Sequence, residues 1–106
     1  MKNDNYVKFI LAVKDKKVVK ITIETKEEGP VTRTCIPFDF GANKKYKDGL
    51  DRYYFYALDS PDGRKDLPIL ENKLISLEIL KDKFEPEDYV TWDPNWILKR
   101  DWGSYS

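Results

Sequence analysis

Apolar residues change their period once along the first half of the chain, and that change sets the expected order of elements. Tyr6, Phe9, Ile10 and Val13 recur at i, i+3, i+4 and i+7, one stripe of an amphipathic helix. Asp4 or Asn5 is placed to cap it, and it is expected to end near Lys16 or Lys17. From Val18 the period becomes two: Val19, Ile21 and Ile23 face one way and Lys20, Thr22 and Glu24 the other, a strand with one wet face. Glu28-Gly29-Pro30 supplies a turn, and Val31 to Phe40 returns as a second strand. Pro37 within it marks an edge position or a bulge, because proline cannot donate to a ladder.

A polar loop from Gly41 to Asp51 precedes Arg52-Tyr53-Tyr54-Phe55-Tyr56-Ala57-Leu58, which is apolar or aromatic on both faces and so suits the middle of a sheet or the wall of a barrel. Ser60-Pro61-Asp62-Gly63 is a hairpin turn by composition. The next strand, near Asp66 to Leu70, contains Pro68 and reads as an edge; Glu71-Asn72 then turns into an alternating segment from Lys73 to Leu80. One helix and five short strands at hairpin spacing predict a mainly β fold, a small barrel or rolled sheet. The division expected is a barrel domain over 1–84 and a tryptophan-rich extension over 85–106. In that extension Asp93-Pro94 predicts a short helix placing Trp96 and Arg100 on one face.

Composition narrows the function more than the fold. The chain has 106 residues, no histidine and a single cysteine, Cys35. Histidine-based catalysis, zinc sites and intrachain disulfides are therefore excluded, and no glycine-rich phosphate loop is present. The carboxylate pairs Glu27-Glu28 and Glu87-Asp88 flank turns or polar linkers, away from the apolar setting that acid–base work needs. No enzyme, cofactor or metal is expected. The lone cysteine, the polar start and the lack of a long apolar run give a cytoplasmic, non-membrane expectation. Formal net charge is zero, which argues against non-specific single-strand binding. Lysines crowd the first 26 residues and carboxylates the end, so a basic face balanced by an acidic tail is one reading.

Residues 6 to 84 resemble the WYL domain of bacteria and archaea. The marks are a short helix leading into Val19-Lys20-Ile21-Thr22-Ile23; Arg33-Thr34-Cys35-Ile36-Pro37; Tyr53-Tyr54-Phe55 at the name-giving Trp-Tyr-Leu run; and Lys73-Leu74 leading a hydrophobic strand that ends at Phe84. Leu67 and Ile69 stand where such domains place arginine and phenylalanine, Lys73 stands for an arginine, and the usual preceding helix-turn-helix has no counterpart before Tyr6. The resemblance implies a small Sm-like or SH3-like β-barrel of about five strands and a stand-alone regulatory domain, linked to transcription control, that senses an anionic small ligand, nucleotide or single-stranded nucleic acid. Arg33, Arg52 and Lys73 would supply charge and Tyr54 or Tyr56 a stacking face. The competing reading is a protein-interaction adaptor that uses Trp92 and Trp96 as anchors, or the edge strand near Pro68.

Overall fold

The computed structural model describes residues 4–61 and 63–106; Met1 to Asn3 of the expected polar start and Asp62 of the expected hairpin turn lie outside them. The helical stripe becomes α1, Asp4–Asp15, which buries Phe9, Ala12 and Val13. Lys16, at φ 55, takes the left-handed conformation that ends the helix. Asn5 does not act as the expected cap. Its Nδ2 donates instead to the carbonyls of Leu74 and Ile75, where the ladder between the first and last strands is bulged.

The strands are β1 (Lys17–Thr25), β2 (Gly29–Ala42), β3 (Asp51–Ala57), β4 (Asp66–Leu70) and β5 (Leu74–Lys83). They form one antiparallel sheet in the order β4-β3-β2-β1-β5. The expected mainly β class with an N-terminal helix is therefore present, but the sheet is not closed into a barrel. A single 3-10 turn, Glu71–Lys73, carries the chain from one outer strand to the other, and no ladder joins β4 to β5 among the described residues. Two features keep the edges apart. β4 has five residues with a proline at its centre, and α1 packs over β5.

Register decides which face each residue takes. Ile21, Cys35, Phe55 and Tyr53 lie toward α1, where Phe9 meets Tyr53 and Phe55 edge-on at 5.1 and 5.4 Å. Between Pro37 and Asp39 the β2–β3 ladder shifts by one residue. Without that bulge Asp39 would share the α1 side with Pro37; with it Asp39 pairs with Tyr54 and faces the opposite side. This second side is covered by the chain beyond β5, so residues 35 to 41 of β2 are buried on both faces.

That covering segment does not form the expected helix at Asp93-Pro94. It runs as irregular chain between two 3-10 turns, Pro86–Asp88 and Gly103–Tyr105. Tertiary bonds hold it in place of helical ones. Trp102, only 3% exposed, donates its indole N–H to the Val13 carbonyl at 2.8 Å, and its ring meets Phe84 edge-on.

Candidate binding cleft

Asp39 is the one charged residue in the apolar run Cys35–Phe40, and the bulge aims it at the covering segment. Its Oδ2 accepts from the Ile97 N–H at 2.9 Å, and its Oδ1 from the Leu98 N–H at 2.8 Å and from the Phe40 N–H at 2.9 Å. Arg100 completes the clasp with Nη2 at 3.4 Å from Oδ1. Its guanidinium lies against two indoles, 4.0 Å from the Trp96 ring centre and 4.4 Å from that of Trp102. Burial pushes Arg100 down to about 10, against the pull of Asp39, so it remains a cation at neutral pH. Gly41 permits the crossing: at φ +144, a Cβ there would lie 2.7 Å from Cγ2 of Ile97.

Held this way, the segment forms one wall of a cleft of about 290 Å³. Trp92 and Trp96 stand on that wall, 6.0 Å apart and each 5.7 Å from Phe38. The floor is Phe38 and Tyr54; the far wall is Leu67 and Pro68 of β4; Lys45 and Tyr46 of the 43–50 loop, Asp66 and Asn95 complete the rim. Trp92 is 47% exposed, whereas Trp96 is half-buried and donates its indole N–H to the Tyr105 carbonyl. The Tyr54 hydroxyl is buried without a hydrogen-bond partner among the described residues. Its pKa is raised, chiefly by that burial.

The expected site residues do not converge on one place. Arg52, Tyr54 and Tyr56 alternate onto the same face of β3, but only Tyr54 lines the cleft. Tyr56 is packed between Phe38 and Tyr89, at 5.8 and 5.2 Å. Arg52 sits 3.9 Å from the Tyr46 ring centre and forms a two-armed pair with Asp48, at 3.1 and 2.9 Å. This pair and the Leu50 N–H hold the Asp48 carboxyl down to about 2. Arg33 lies opposite Ile21, whereas Arg52 lies opposite Gly41, eight residues further along β2. At roughly 3.3 Å per residue that is up to ~26 Å of strand, too far for one small ligand to bridge. The Arg33 guanidinium donates to the neighbouring Thr32 carbonyl at 2.8 Å. Lys73 is exposed on the turn between β4 and β5 and does not line the cleft.

The two expected partner-binding residues, Trp92 and Trp96, do meet in the cleft, together with the edge strand at Pro68. Phe38, Tyr46, Asn95 and Asp66 were not readable as site residues, since they come from four separate segments. Asp39 was the available clue, because a lone carboxylate in a buried strand needs donors from elsewhere.

Among the described residues no cluster of three or more possible metal ligands occurs, and no helix is long and apolar enough to cross a membrane. Compared with protein-family models, with curated proteins and with solved structures, the chain finds no match in any of the three.

Proposed function

We propose that this protein is a non-catalytic interaction module that captures a peptide segment of another protein in the cleft between β3, β4 and the tryptophan-bearing tail. The observation that carries this reading is the meeting of Trp92, Trp96 and Phe38 with the Leu67-Pro68 edge in one open groove. Half-exposed tryptophans beside a concave apolar surface are the usual anchors of protein partners. The cations that an anion sensor would use are elsewhere or occupied: Arg33 and Lys73 lie outside the cleft, and Arg52 is held by Asp48. Selection from a random peptide library tests the proposal. Selected peptides should shift the Trp92 indole and Asn95 signals in NMR and lose binding to Trp92→Ala. Peptides that map to any other surface, or no selection at all, contradict it.

A second reading, a WYL-like sensor of an anionic ligand, is favoured by one observation: Lys45 stands on the rim of a cleft that also presents two tryptophan faces. A nucleobase stacked on Trp92 with its phosphate at Lys45 would use all of these. The five-stranded order with a 3-10 turn between its outer strands also supports an opened relative of the Sm-like roll. Nucleotides and short single strands titrated to millimolar concentration separate the readings, because only the sensor responds, and with a steep loss as salt rises.

A further inference from the structure

We infer that the partner segment binds as a left-handed polyproline helix carrying a basic residue at the Asp66 end of the cleft. This rests on the interaction-module reading and narrows it from any peptide to one conformation and polarity.

Two modes of extended-peptide capture compete at such a groove, addition of a strand to β4 and docking of a polyproline helix on the rings. The phase of the β3–β4 ladder decides between them. The Ala57 N–H donates to the Lys65 carbonyl at 2.8 Å, one residue to either side of the Tyr56–Asp66 pair. That makes Tyr56–Asp66 a non-hydrogen-bonded pair, and two residues along, Tyr54–Pro68 is another. Residues in such pairs turn their own amide groups away from the neighbouring strand. Asp66, Pro68 and Leu70 therefore face the free edge of β4, and the middle one has no N–H to give. An added strand would lose its central bond on an edge only five residues long.

A polyproline helix needs no ladder. It keeps its backbone open and offers flat pyrrolidine rings to aromatic faces, with carbonyls free to accept from side chains. The cleft supplies the faces of Trp92 and Trp96, and a donor in the Asn95 amide. Its charge is polarised along β3. Asp66 is opposite Tyr56, while Lys45 and Tyr46 belong to the loop whose Tyr46 ring covers Arg52. From Tyr56 to Arg52 is four residues of strand, about 13 Å. At about 3.1 Å per residue, four residues of polyproline helix span it, with one charged side chain reaching each end. Asp66 calls for a cation and Lys45 for a carboxylate.

Three probes test this on the full chain. One is a five-residue peptide with alanine-proline-proline between an arginine end and a glutamate end, which sets the two charges four steps apart, made in both orders. The second is a valine-threonine peptide of equal length and the same ends. The third is a dinucleotide. The proline peptide in one order should shift the Trp92 indole and Asn95 signals and bind more tightly than its reverse. Trp92→Ala should weaken it about thirtyfold, the range of an anchoring aromatic. Asp66→Lys should weaken it about threefold to fivefold and abolish the preference between the two charge orders, as expected of a rim charge. Both variants are exposed, and an unchanged far-ultraviolet dichroism spectrum confirms that they fold. If the valine-threonine peptide binds instead and shifts the Asp66 and Leu70 amides, the polyproline inference fails while the interaction module stands. If only the dinucleotide shifts Trp92, or nothing does, both fail.

Discussion

Asp39 and Cys35 lie four residues apart on the same buried strand, yet burial acts on them in opposite ways. Asp39 is a charge made tolerable by donors: three backbone N–H groups and the Arg100 guanidinium. Removing one partner of a buried pair leaves the other charge uncompensated, at a cost of about 3 kcal/mol or more. Asp39→Asn should lose about that much in urea unfolding. Arg100→Met should lose far less, because a thioether still packs against the two indoles and Asp39 keeps its backbone donors. Equal losses in the two variants would contradict this account of the clasp. Cys35 is a free, buried thiol. Burial, with help from Asp59, raises its thiol from 9.0 to about 12, so the native state holds a proton that the unfolded chain gives up from pH 9 onward. The unfolded state then binds fewer protons than the native state, and stability falls as pH rises between those values. The expected loss is about 1 kcal/mol between pH 9 and pH 10. Cys35→Ala starts less stable because of its cavity but lacks this part of the slope. Unfolding curves at pH 8, 9 and 10 for both proteins give the difference.

Elements with their own period are legible in the order of residues alone. The stripe of α1 and the alternation of β1 each follow from side chains within one segment, and Pro37 correctly marked an irregular ladder. What sequence could not show was which edges meet. Closure into a barrel depends on β4 and β5 finding each other, and neither strand encodes that; a proline-centred strand of five residues and a helix over β5 leave the sheet open. The cleft was half legible: its tryptophans stood out by composition, whereas its floor and rim come together only after the tail crosses β2. The expected helix at Asp93-Pro94 failed for a related reason. Ile97 and Leu98 give their N–H groups to Asp39 rather than to a helical ladder. Gly41 is the point where that crossing is tightest. Gly41→Ala should cost about 1–3 kcal/mol, combining a φ that side chains rarely adopt with the clash against Ile97. Because Ile97 is 48% exposed, Ile97→Ala alone should cost little. Placed in one chain, the two changes should recover the steric share of the loss and leave the conformational share. Strict additivity in a double-mutant cycle would mean that the tail does not press on Gly41.

At the scale of the molecule, the question is whether the tail is a separable extension or part of the core. Its anchors reach three different elements: Trp102 bonds the end of α1, Ile97 and Leu98 bond β2, and Tyr89 packs on Tyr56 of β3. Phe84, Trp102, Trp96 and Phe38 form a continuous chain of ring contacts from the end of β5 to the middle of β2. Loss of the tail would therefore uncover apolar surface across the whole second face of the sheet, and the sheet without it has only the α1 side left to bury. Cooperative unfolding follows from such shared surface, because neither part retains enough burial to stand without the other. Urea unfolding followed by tryptophan emission, which reports only on the tail, and by far-ultraviolet dichroism, which reports mainly on sheet and helix, should give coincident transitions. In the native state acrylamide should quench mainly the emission of Trp92, so Trp92→Phe should remove most of the quenchable signal while Trp102 stays protected. A tryptophan transition that precedes the dichroism change would mean that the tail detaches while the sheet persists. The cleft, whose one wall is that tail, would then open and close independently of the fold.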